Sequence, residues 1–105
     1  MIIKTRSLID RKKLKTAILR LRAIDHELRK DIIDYLDDVG RASVTEIHLR
    51  FRLEQSVTSQ HLAILRRSEV VETARNGKEI YYSVNHKMLV QINAAVDEFN
   101  KPLSH

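Results

Sequence analysis

Apolar residues recur at helical spacing along most of this chain and at strand spacing once. In residues 8–22, Leu14, Ala17, Ile18 and Leu21 fall three or four apart, with Lys12, Lys13, Lys15, Arg20 and Arg22 on the other faces, which predicts an amphipathic, basic helix. A second helix is predicted over 26–39, capped by Asp25. Leu28, Ile32, Ile33, Tyr35 and Leu36 form its inner side, Asp31, Asp34, Asp37 and Asp38 its wet side, and Gly40 stands just past its end. Ala42-Ser43-Val44 reads as a brief extended link. Thr45 caps a short third helix over 46–52, with Ile47, Leu49 and Phe51 available to a core.

The stretch 53–67 reads as a turn feeding a fourth helix. Leu62, Ile64, Leu65 and Val57 supply its apolar side, while Gln55, Ser56, Thr58, Ser59, Gln60 and His61 crowd its first turns. Uncharged hydrogen-bonding side chains at a helix start suit base edges and phosphates. The competing reading is a helix capped by Ser56, with Ser59 and Gln60 merely solvated. Two short helices joined by roughly four residues, the second polar at its start, form a helix-turn-helix pattern.

Residues 70–84 change rhythm. Asn76-Gly77 lies between two β-favouring runs, which predicts a hairpin with a type I′ turn and positive φ at both central residues. Ile80, Tyr82 and Val84 are expected on its inward face, with Tyr81 leaving the register open. Arg75 and Lys78 flank the tip, where a wing meets phosphates or a minor groove. Residues 87–99 close the pattern as a helix with Met88, Leu89, Ile92, Ala95, Val96 and Phe99 on one side. One small domain has little room to bury both this helix and the first. A homodimer through 8–22 and 87–99 is therefore expected, as a two-fold DNA reader requires.

Composition narrows the picture. One hundred and five residues suffice for one domain, and two glycines and one proline agree with a mainly helical chain. Residues 1–30 carry ten Lys/Arg against three Asp/Glu, the remainder nine against eleven, so the net +5 resides in the N-terminal segment. That distribution favours a polyanion partner, although a basic helix face is often only a solvated one. Without cysteine there is no disulfide, thiol switch or thiolate metal ligand. No apolar run has the length of a membrane span, and Met1-Ile2-Ile3-Lys4-Thr5-Arg6 has no apolar signal core, so a cytoplasmic location is expected. No nucleophile–base–orienter set or phosphate loop stands out, so no enzyme is expected.

Four separately placed motifs resemble the ArsR-type winged helix-turn-helix regulators. Ala23-Ile24-Asp25-His26-Glu27-Leu28-Arg29 resembles the family's entry to its second helix, keeping Arg29 but lacking the usual proline. Ser43-Val44-Thr45-Glu46-Ile47 looks like the entry to the third. Leu53-x-Gln55-Ser56-x-x-Ser59-x-His61-Leu62-x-x-Leu65-Arg66 is similar to the recognition-helix signature, and Gly77-Lys78-x-x-Tyr81-Tyr82 to the wing. The resemblance runs from about residue 23 to residue 84.

It implies a mainly α winged helix-turn-helix fold of about five helices with a β-hairpin. Residues 1–105 form one domain, with 45–67 as helix-turn-helix, 70–84 as wing and the terminal helices as dimer contacts. Gln55, Ser56, Thr58, Ser59, Gln60 and His61 inherit the DNA-facing role, and Arg75 and Lys78 the wing contacts. His61 has a second reading, as a residue that only positions the helix. Arg66 and Arg67 contact phosphate or pair with Glu69. The family's cysteine metal sites have no counterpart here, and its C-terminal Asp-x-His pair is missing, so His26, His48 and His86 read as surface or packing residues. No metal or cofactor is expected. The implied function is a homodimeric, sequence-specific DNA-binding transcriptional repressor on a two-fold symmetric operator, with an unknown effector. The alternative is a winged-helix protein–protein interaction module.

Overall fold

The computed structural model describes residues 8–103. Its elements are α1 (Arg11–Ile24), α2 (Glu27–Val39), β1 (Ala42–Ser43), α3 (Val44–Phe51), α4 (Gln55–Arg67), β2 (Val71–Asn76), β3 (Glu79–Val84) and α5 (His86–Phe99). The strands form one antiparallel sheet in the order β1-β3-β2. Five helices and the hairpin agree with the expected architecture. His105 lies outside the described residues.

Local hydrogen bonding moves several boundaries. Asp10 starts α1, its carboxylate accepting from the Lys12 and Lys13 N–H groups at 3.1 Å each. Asp25 does not cap α2. It ends α1, donating its backbone N–H to the Leu21 carbonyl. The reason is burial: Ala23 packs into the core and Ile24 against it, which holds α1 helical to residue 24. His26 takes the cap position in extended backbone, its Nδ1 accepting from the Arg29 N–H at 3.4 Å. Thr45 does not cap α3 either. Ser43 does, in a reciprocal pair: its hydroxyl accepts from the Glu46 N–H and the Glu46 carboxylate accepts from the Ser43 N–H, both at 3.2 Å. This Ser-x-x-Glu spacing was visible in the sequence.

The core sits where α2, α3 and α4 meet the base of the sheet. Ile32, Leu36, Ile47, Leu62, Leu65 and Val70 are fully enclosed, each contributing about 1.5–3 kcal/mol by leaving water. Leu49 was expected there and is 65% exposed. Ile47 and Phe51, four apart, share the inward stripe of α3, and Leu49 lies about 200° around the helix from Ile47.

The hairpin forms with a different turn. Val71 faces Val84 and Asn76 faces Glu79, so the loop is Gly77-Lys78 rather than Asn76-Gly77. Gly77 has φ +65, and among the described residues only Arg52 and Glu69 are non-glycine positions with positive φ. One positive φ at the first loop position is the backbone of a type II′ turn, not type I′. The buried Val71–Val84 pair anchors the strands at their base, and equal strand lengths from there leave two residues for the loop. The inward face is only partly covered: Val84 is buried and Tyr82 half-buried, but Ile80 is 40% exposed where the hairpin outruns the body.

The terminal helices are largely bare. α1 buries only Ala23 and α5 only Ile92 among their described residues. Leu14, Ile18, Leu21, Val96 and Phe99 remain exposed. With Ala17 and Ala95 they line an apolar groove of about 450 Å³ between the two helices.

Candidate nucleic-acid interface

Helix α3, a three-residue turn and α4 form the helix-turn-helix. Arg52 ends α3 in the left-handed region, at φ +54, and its N–H reaches the His48 and Leu49 carbonyls. His48 Nδ1 lies 3.2 Å from the Leu53 carbonyl and steadies the same turn. Glu54 then opens α4 without a side-chain cap, so Ser56 is not the cap but an exposed residue of the first turn.

Periodicity sorts the fourth helix into two sides. Thr58, Leu62 and Leu65, at helical spacing, form the buried side. Gln55, Ser56, Ser59, Gln60, Arg66 and Arg67 are exposed. Thr58 therefore departs from the DNA-facing role implied for it. It is 0% exposed, and its hydroxyl donates to the Glu54 carbonyl at 3.1 Å. Its place four residues before Leu62 and seven before Leu65 puts it on the same helical stripe.

His61 lies at the border between the two sides. Its Nδ1 is 3.3 Å from Nη1 of Arg29 on α2. A guanidinium only donates, so this nitrogen accepts and the imidazole proton belongs on Nε2. The His26 ring stands 5.0 Å away between centroids. Burial lowers the His61 pKa from 6.5, with His26 and then Arg29 adding like-charge repulsion. The same Arg29 donates through Nε to the Ala23 carbonyl at 2.7 Å and through Nη2 to the Arg22 carbonyl at 3.1 Å. Along the sequence, Arg29 is marked only by its likeness to the family's second-helix entry. Its partner on α4 lies 32 positions away, beyond any local pattern.

Arg66 and Arg67 end α4 on the exposed side. The alternative pairing of these arginines with Glu69 is not the one formed: Glu69 accepts from Arg20 of α1 at 2.7 Å. In the wing, Arg75 is exposed on β2 opposite Ile80, and Lys78 is exposed in the loop itself. A further cation stands beside the wing: Arg41, just before β1, lies 4.4 Å over the Tyr81 ring. Strand pairing alone brings them together, since Ser43 faces Tyr81.

The described histidines each have a local partner: His26 caps α2, His48 meets Leu53, His61 meets Arg29, and His86 Nε2 lies 2.7 Å from Asp37. Among the described residues no three His, Cys, Asp or Glu side chains converge to hold a metal ion. None of the described helices is long and apolar enough to cross a membrane.

A helix-turn-helix followed directly by a two-stranded wing and flanked by outer helices defines a winged helix-turn-helix protein. The model of the bacterial regulatory protein family arsR matches residues 26–73. The transcriptional repressor SdpR of Bacillus subtilis is 35% identical over 81 residues, covering 76% of this chain and 89% of that protein. The transcriptional activator HlyU of Vibrio cholerae is 38% identical over 69 residues, covering 66% of this chain and 63% of that protein. Thus the chain spans less than two thirds of that activator's length. The crystal structure of NolR from Sinorhizobium fredii superposes with a TM-score of 0.71 at 28% identity, over 93% of this chain and 97% of that one. The chain belongs to the ArsR family of bacterial regulators.

Proposed function

We propose that this chain is a homodimeric, sequence-specific DNA-binding transcriptional repressor. The observation that carries the reading is the two-sidedness of α4. Its inner side is locked into the core by Thr58, Leu62 and Leu65. Its outer side offers Gln55, Ser56, Ser59 and Gln60, side chains that donate and accept without charge, as base edges require. The wing adds Arg75 and Lys78 as exposed cations suited to phosphates. Bare apolar faces on α1 and α5 support pairing with a second copy, which would double the reading head across a two-fold site. Relatives named as repressors favour repression, although one relative is named an activator.

The test is enrichment of random duplex DNA on the purified protein at two salt concentrations. A two-fold symmetric site at both salts is expected. Salt-labile binding with no enriched sequence would overturn the reading and leave a basic protein on a polyanion.

A further inference from the structure

We infer that Arg29 is a positioning residue for α4: its guanidinium fastens His61 to the carboxy end of α1, so α1 sets the attitude of the helix that meets DNA. This inference rests on the reading of α4 as the DNA-contacting helix.

The geometry is a three-way junction. A helix leaves its last carbonyls without intrahelical partners, and α1 ends with the Arg22 and Ala23 carbonyls turned to Arg29. Nη2 donates to the first at 3.1 Å and Nε to the second at 2.7 Å. Those two bonds fix the plane of the guanidinium. The remaining amino group, Nη1, then points along one direction, and His61 Nδ1 is there at 3.3 Å. The backbone joins in as well, because the Arg29 N–H donates to His26 Nδ1, and the His26 ring lies 5.0 Å from that of His61. A lysine carries a point charge and cannot hold this rigid fork. Beside direct packing of α1 on α4, an ion pair from Arg20 of α1 to Glu69, just past α4, ends on a carboxylate with 62% side-chain exposure, where solvent weakens the pair.

The position of α1 gives the junction its consequence. The helix that Arg29 grips also presents Leu14, Ile18 and Leu21 to the groove shared with α5. Anything that shifts α1, pairing of copies included, therefore moves two acceptors of the guanidinium and changes the third contact, on α4. Arg29 acts through His61 and is not itself a base or phosphate contact.

The experiment is a double-mutant cycle on the duplex that the wild-type protein selects. Arg29→Met keeps the aliphatic stem and removes the fork; His61→Ala removes the acceptor. Each is expected to weaken binding by about tenfold, the scale of one charge-assisted hydrogen bond. The double variant is expected to lose little more than either single one, and the salt slope to stay at the wild-type value. Losses that simply multiply, or a slope lowered by about one unit as for a lost phosphate contact, would overturn the inference. Arg29→Lys keeps the charge and is expected to bind as weakly as Arg29→Met; full affinity would equally overturn it. Arg29→Lys also supplies the cycle if Arg29→Met does not fold. Nitrogen chemical shifts of the His61 ring give a readout without DNA. The wild type is expected to show an unprotonated Nδ1 that Arg29→Met no longer holds, and unchanged ring shifts in Arg29→Met would overturn the junction. Failure of the wild type to select any duplex would instead sink the DNA reading, with these ring shifts still testing the junction.

Discussion

The Glu54 carbonyl accepts twice from Thr58, from its backbone N–H at 3.0 Å and from its hydroxyl at 3.1 Å. The side chain is thereby satisfied within the first turn of α4 and turned away from the exposed side. Thr58→Val keeps the shape and removes only the hydroxyl. It is expected to leave base preference unchanged and to alter stability by no more than about 1 kcal/mol. Ser59→Ala, on the exposed side, is expected to relax preference at one base position by about 1–3 kcal/mol. Competition binding against single-base variants of the selected site checks both. Relaxed preference in Thr58→Val would sink the burial argument.

Leu62 joins α4 to the core with no exposed surface. Leu62→Ala is expected to cost about 2–5 kcal/mol, from lost transfer free energy and the cavity left behind. Urea denaturation followed by circular dichroism measures it. A cost below about 1 kcal/mol would mean that the helix is not anchored there.

Arg75 and Lys78 are exposed on the wing, and neither belongs to the buried core. Replacing either with Ala is expected to weaken all duplexes alike and lower the salt slope by about one unit per lost phosphate contact. Titrations on selected and scrambled duplexes over a salt series provide the check. Loss confined to the selected duplex would make the residue a base reader instead.

Phe99 is 90% exposed at the end of the apolar groove. Phe99→Glu is expected to leave the fold intact, because no core contact is lost, while placing a charge in the proposed contact between copies. Sedimentation is then expected to report a dimer for the wild type and a monomer for Phe99→Glu, with weaker binding of the variant to the selected duplex. A dimer of unchanged strength would rule out this face as the interface.

His61 gives stability a pH dependence of definite sign. Burial first, then His26 and Arg29, lower its folded pKa from 6.5. In the unfolded chain it returns to about 6.5. Between these values the unfolded chain holds more protons, so stability rises with pH in that window. This contribution is complete above about pH 6.5 and is lost as pH falls below it. The urea midpoint of the wild type should therefore drop more on acidification than that of His61→Gln. Parallel pH profiles for the two would disprove the assignment.

What was legible in the sequence was whatever depends on neighbours along the chain. Helical spacing of Thr58, Leu62 and Leu65 marks the inner side of α4, which places Thr58 away from the exposed side. Ser43 and Glu46 likewise carried a cap that sequence reading assigned to Thr45. The hairpin was located by Asn76-Gly77, but its loop was not, since the buried Val71–Val84 pair settles the register from the other end.

By itself, then, the sequence determined the order of the elements, the polar surface of α4 and the surplus of apolar residues on the outer helices. These follow from side-chain periodicity and local backbone preference, which act over a few residues. Tertiary structure alone decided that Asp25 ends a helix instead of starting one, that Glu69 goes to Arg20, and that Arg29 reaches His61. Such contacts depend on how packed helices bring distant groups within about 3 Å, a distance to which local periodicity is blind.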